Sequence, residues 1–392
     1  MKPPGIGLIL LRAEWFDSVV ALPELVEAVQ ADAGEIHARL SENVEVVASW
    51  VVNSVESLET CLAGIRSTKV DLFVLAFQVW AEDFYLRPLA QAIGGRPLAV
   101  WCYLPWKRPP RPVSFVDVLR GSGPVGTFEG MGTLRNLGVK YFFTQGSPED
   151  PRVLQDLSTY ARAAQVLRTL RSARIGLLPY RNDQMQSTFV DEFRLMSDFG
   201  PNVVPLSVGD LQRRAGSITG EEVSAFLAHL RHTFPIRGVS SETLALAARA
   251  SLGLANLARD HRLDLLSLND IAPELHEVLG LRPCLYPPLL QEAGISIGLE
   301  GDLGAGTALF ILQCLAGPPL FFVEIWFWDE VDNVIVGGHA GPQDPRAGRA
   351  GETWISHDFE FAQSDRSEGA HLQFVAHPGR VTLLQLRGTP GG

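Results

Sequence analysis

Four cysteines in 392 residues (Cys61, Cys102, Cys284 and Cys314) are too few and too scattered for a disulfide framework, and no two form a Cys-x-x-Cys pair. Three of them lie in apolar segments, where a thiol behaves as a small hydrophobe. A basic excess is missing as well: 33 Lys and Arg against 44 Asp and Glu leave a formal charge of −11 and a pI near 5.3. Nucleic-acid binding needs a concentrated positive field for phosphate, so no such partner is expected. The single basic cluster, residues 106–112 (WKRPPRP), is short and proline-bound and reads as a loop. No apolar window reaches the roughly 18 residues of a membrane-spanning helix. The opening MKPPG runs straight into an apolar strand without a signal-peptide layout, and the expectation is a cytoplasmic protein with no membrane partner. Beyond a strand–helix rhythm there is no internal repeat.

What the chain does contain is the composition of a folded domain protein, 46% hydrophobic and 20% charged. Short apolar runs at 6–11, 44–52, 70–77, 97–103 and 139–144 alternate with segments of helical spacing, the mark of βαβ units and a mainly parallel sheet. A long helix over 150–171 leads into a second such series, with strands expected at 174–178, 203–206 and 263–268. After Pro318 the character changes to aromatic-rich strands, at 321–328, 334–338, 353–361, 372–376 and 381–386. The predicted fold is therefore α/β: two doubly wound parallel-sheet domains (1–171 and 172–317) followed by a small antiparallel β-barrel-like domain (318–392). Residues 111–132, punctuated by Gly121, Gly123, Gly126 and Gly130, read as a long loop of the lid kind. Within them GSGPVG invites a phosphate-loop reading, but no strand immediately precedes it and no Lys-Ser/Thr follows.

In parallel sheets ligands approach the carboxyl ends of the strands. Trp15 and Trp80 stand just after two predicted strands, where aromatic rings can stack on the C–H face of a sugar or close the top of a core. Residues 294–346 carry the sharpest chemistry. An apolar run delivers Glu300 at its end, a second run holds Glu324 among Phe321, Phe322, Val323, Ile325 and Trp326, and a third ends at His339. Carboxylates are rarely left in apolar surroundings unless paired, hydrogen-bonded or metal-bound. Two acids and an imidazole at strand ends form a plausible shell for a divalent metal, against the alternative of an Arg partner elsewhere and a surface histidine. Asp270, after the strand at 263–268, reads as an N-cap of the helix beginning near Pro273, with a supporting acid behind the metal ligands as the alternative.

The segments EGDLGAGT (from Glu300), GPPLFFVE (ending at Glu324), DEVDN and HAGPQDP (from His339) together resemble the C-terminal half of the L-fucose isomerase and L-arabinose isomerase superfamily. LPYRNDQMQSTFVDE is similar to that superfamily's sugar-pocket segment, LAFQVWAEDFY sits where it has a Trp-containing loop, and at GSGPVG the likeness suggests the start of a helix and a substrate-facing loop. Glu324 stands where many short relatives carry Asp, and His-Ala-Gly replaces their His-Cys-Gly. The resemblance implies an Mn²⁺-dependent aldose–ketose isomerase, with Co²⁺ or Mg²⁺ as substitutes, acting on a pentose or 6-deoxyhexose. It places Glu300 and Glu324 as metal-ligating proton carriers and His339 as a ligand, with a C-terminal histidine as the fourth. His357 is the preferred residue for that role, ahead of His371. Asn182 and Met185 would stand by the sugar, Trp15 and Trp80 likewise, and a homo-oligomer, hexamer or trimer, is implied. Two other readings stay open: another metal-dependent sugar enzyme on the same scaffold, and a non-catalytic sugar-binding protein.

Overall fold

A computed structural model describes residues 2–20, 22–361 and 368–388. The chain is α/β and divides into two compact units, Met1–Arg168 and Thr169–Gly392.

In the first unit five strands, β1 (Gly5–Leu11), β2 (Glu45–Val52), β3 (Leu72–Phe77), β4 (Leu98–Tyr103) and β5 (Phe142–Gly146), form one parallel sheet in the order β2-β1-β3-β4-β5. Because helices cover both faces, β1, β3 and β4 are buried at every position and read as unbroken apolar runs. The edge strand β2 alternates instead. The sequence from β1 runs outward to β2 and then crosses back to β3, so the strand order reverses between β1 and β3 and opens a crevice at their carboxyl ends.

The expected loop at 111–132 is largely helical. Helices occupy Phe115–Arg120 and Gly123–Asn136. Gly123, Gly126 and Gly130 recur at helical spacing, and the added Cβ of each would meet Phe77 or its carbonyl at 2.5–2.8 Å. The glycines therefore serve as a flat helix face that lies against the Phe77 ring, which is why a turn-like composition became a helix.

The second unit repeats the arrangement with β6 (Arg174–Leu178), β7 (Asn202–Pro205), β8 (Leu265–Leu268) and β9 (Ser296–Gly298), parallel in the order β7-β6-β8-β9. Its core is made chiefly by the helix Ser241–Asp260, whose Leu244, Ala247, Ala248, Leu254 and Leu257 are buried. Two antiparallel pairs follow: β10 (Glu324–Asp329) with β11 (Val334–Gly338), and β12 (Gly348–His357) with β13 (Ala370–Ala376). The second pair is seated in the core through Ile355, Ala370 and Leu372. The first is exposed on both faces, Trp328 and Val331 included. Residues 381–386, expected as a strand, pair with none of the described strands; their Leu386 carbonyl instead lies against Gly304, at the start of the helix Leu303–Ala316.

Candidate active site

Three parallel strand ends in the second unit are laced together by main-chain hydrogen bonds. Asn269 N–H donates to the Leu178 carbonyl at 2.7 Å, Gly301 N–H to the Leu268 carbonyl at 3.1 Å, and Asn182 N–H to the Glu300 carbonyl at 3.2 Å. This is the crevice where the order reverses between β6 and β8, the position at which such sheets bind ligands. Glu300 adopts φ +61°, a left-handed conformation that costs a non-glycine residue about 1 kcal/mol or more. Strain of this kind is retained where a side chain must be aimed.

The Glu300 carboxylate is largely buried. Its Oε2 accepts from Asn182 Nδ2 at 2.7 Å, and the orientation of that amide is set by Gln184 N–H donating to Asn182 Oδ1 at 3.1 Å. Burial raises the proton affinity of Glu300 above the ordinary value of 4.5, the nearby charge of Asp270 adds to this, and the Asn182 hydrogen bond and the His339 ring oppose it. Met185 is half-buried in the turn that Asn182 begins, its N–H donating to the Asn182 carbonyl at 3.3 Å.

Glu324 opens β10 and His339 follows β11. Across the antiparallel ladder Glu324 pairs with Gly338, the last residue of β11, and the chain has left the ladder at the next residue, His339. His339 Nε2 lies 3.6 Å from Glu300 Oε1 and 3.9 Å from Glu324 Oε1. Nδ1 is 2.6 Å from the Ala340 carbonyl, an acceptor, which assigns the proton to Nδ1 and leaves a lone pair on Nε2. A lone pair facing two carboxylates is repulsive until a proton or a metal ion stands among them.

The donor set, two carboxylates and one imidazole nitrogen, has the chemistry of a hard divalent ion such as Mn²⁺. Ligands about 2.1 Å from one ion stand roughly 3.0–3.4 Å apart, so the two separations here are slightly wide. Accordingly, among the described residues no three His, Cys, Asp or Glu side chains are gathered tightly enough to hold an ion. Glu324, whose side chain is 49% exposed against 11% for Glu300, is the member with room to move.

Beneath these residues is a buried polar cluster. Asp270 does not cap the helix Pro273–Leu279; Ala272 holds that position, and the Asp270 side chain turns inward. Its Oδ2 accepts from Arg282 Nε at 2.9 Å and Nη2 at 2.6 Å, while its Oδ1 has no partner among the described residues. Arg282, 1% exposed, also reaches Asp358 at 3.6 Å and pairs closely with Glu360. A Cβ on Gly341 would come within 2.9 Å of Asp270 Oδ2, so the loop carrying His339 rests directly on this ion pair. Arg282 was legible in principle: a guanidinium inside LGLRPCLYPP is the same anomaly that singled out Glu324.

His357, the expected fourth ligand, is not brought to this place. In the β12–β13 ladder Ser356 pairs with His371 and His357 with Ala370, and alternation sends neighbouring side chains to opposite faces. His371 therefore lines a cavity with His339, whereas His357 packs on the Phe359 ring and is not among the residues lining that cavity. His371 Nε2 already accepts from Gly341 N–H at 3.2 Å, so this imidazole holds the His339 loop. Burial lowers its proton affinity and keeps it neutral.

Trp15 and Trp80 belong to the first unit, at the β1/β3 crevice, with ring centroids 6.1 Å apart. The Trp80 indole N–H donates to Glu129 at 2.9 Å.

No protein-family model matches the chain. It is similar to a sulfoquinovose isomerase of Alkalicoccus urumqiensis, with 22% identity over 66% of this chain and 58% of that protein. It is also similar to an L-arabinose isomerase of Mycolicibacterium smegmatis, with 24% identity over 61% of this chain and 49% of that one. The matched region thus spans about half the length of these relatives. Both are sugar isomerases. No helix among the described residues is long and apolar enough to cross a membrane.

Proposed function

We propose that this protein is a metal-assisted aldose–ketose isomerase, acting on an open-chain pentose or 6-deoxyhexose. The observation that carries the reading is the convergence of Glu300 and Glu324 on the bare Nε2 of His339, at the carboxyl ends of the strands. Its similarity to two kinds of sugar isomerase supports the same class.

Isomerisation moves a proton from C2 of the aldose to C1 and, at the same time, the O2 hydroxyl proton to O1. Glu300 suits the carbon transfer. Asn182 pins Oε2, leaving Oε1 to take the C2 proton and return it to C1. Glu324, more exposed and adjustable, suits the transfer between the oxygens. Glu300, Glu324 and His339 would hold Mn²⁺, with Co²⁺ or Mg²⁺ as substitutes, and the bound ion supplies a Lewis acid and a template for the two sugar oxygens. His339 keeps its tautomer through the Ala340 carbonyl, and His371 fixes its loop. The exposed Trp328, Val331 and Ile335 of the β10–β11 hairpin support a self-associating protein.

The test is ketose formation from L-arabinose and L-fucose with added Mn²⁺. Turnover that is abolished by chelation and restored by the ion supports the reading; a chelator-indifferent reaction, or no ketose from any aldopentose or 6-deoxyhexose, sinks it.

A further inference from the structure

Behind His339 lies a cavity of about 440 Å³, walled by the rings of Phe321, Trp326, Phe359 and Phe374 and by polar groups that include Asp358, Glu360 and the amides of Gln343 and Gln373. No Lys or Arg is among its described lining residues. Among the described residues, Arg282 is the guanidinium beside these acids, and it is spent on Asp270, Asp358 and Glu360. Among the described residues, these three acids together with Glu300 and Glu324 beside His339 make five carboxylates against one guanidinium, a net of −4 (−5 + 1) counting those groups alone. A divalent ion would halve that field without reversing it.

Trp326 gives the cavity a flat apolar wall. Its indole is half-exposed and lies across the backbone of Gly338, where a Cβ would meet Trp326 Cη2 at 2.5 Å. A flat ring beside amide and carboxylate acceptors matches a polyol whose C–H face is apolar and whose rim is hydroxyls. Anionic groups find no counter-ion among the described lining residues, and the field of the acids opposes their entry.

We infer that this cavity is the sugar subsite, that Trp326 is its stacking platform, and that it selects uncharged sugars against sugars carrying a sulfonate, phosphate or carboxylate. The inference rests on the isomerase reading for the sugar's identity as a substrate, but concerns binding. It therefore separates the two kinds of relative by charge.

The experiment compares two sugars that differ only at C6, 6-deoxyglucose with a methyl group and 6-deoxy-6-sulfoglucose with a sulfonate, with L-arabinose as a second neutral probe. Each is titrated calorimetrically into the full chain with Mn²⁺ at low and high ionic strength, beside a turnover assay. The neutral sugars are expected to bind at least tenfold more tightly than the sulfonate, with the gap narrowing as salt screens the field. W326A is expected to weaken neutral-sugar binding at least fivefold and leave Mn²⁺ affinity unchanged, while W326F retains most of it. Equal or tighter binding of the sulfonated sugar, binding of no sugar at all, or an unaffected W326A overturns the inference. Preferential neutral binding without turnover upholds it while removing the isomerase reading, and turnover of the sulfonate with the higher kcat/KM does the reverse.

Discussion

Glu324 and His339 meet where the β10–β11 ladder ends: Glu324 stands opposite Gly338, the last residue of β11, and His339, already outside the ladder, places its Nε2 3.9 Å from the carboxylate. The third member, Glu300, arrives from another sheet altogether, 3.6 Å from the same nitrogen. A one-residue slip in the hairpin would turn Glu324 to the other face and break the set.

Replacing either acid by its amide should therefore leave the fold and remove the chemistry. E300Q and E324Q are each expected to lower kcat by at least about a thousandfold, the range of a lost proton-transfer group with its charge. Circular dichroism and thermal unfolding should be near wild type. Retained turnover in either variant would end the assignment of that residue as a proton carrier.

The Asp270–Arg282 pair should dominate local stability. Because Arg282 is 1% exposed and Asp270 fully buried, R282M strands a buried carboxylate, which typically costs about 3–5 kcal/mol. The double variant D270N/R282M removes both charges and should recover part of the loss in urea unfolding. Equal losses in the single and double variants would show that the pair is not coupled.

Histidine burial sets an acid limit. His276 and His371 are both held below their ordinary value of 6.5, chiefly by desolvation. The folded chain thus binds fewer protons than the unfolded one, so their contribution is complete above pH 6.5 and is lost as the pH falls below it. Unfolding free energy should decline from pH 7 toward pH 5, and H371Q should flatten that decline. H357Q, on the opposite face of the β12–β13 pair, should leave Mn²⁺ affinity close to wild type.

In the first unit the glycine face should tolerate no side chain. G126V drives methyl groups into the Phe77 ring, where even a Cβ comes to 2.6 Å, and overpacking of this kind costs about 1–3 kcal/mol. G132V, at a position with nothing within 4 Å, is the control and should fall only by its helix propensity.

Much of this protein could be read from local order. Unbroken apolar runs such as LFVLAF, set between amphipathic segments, specify buried parallel strands and crossover helices, because the period of burial is written in the residues themselves. Glu300, Glu324 and His339 stood out for a related reason: each is polar where its neighbours are not. Other features had no local signature. Gly123, Gly126 and Gly130 look like a turn until Phe77 lies beneath them, and Asp270 looks like a cap until Arg282 approaches from 12 residues away. The choice between His357 and His371 depends on which strand partner each meets, and that is set by pairing across a loop. Periodicity along the chain thus determined the elements and the unusual charges, whereas long-range register and packing alone decided which of those charges share a site.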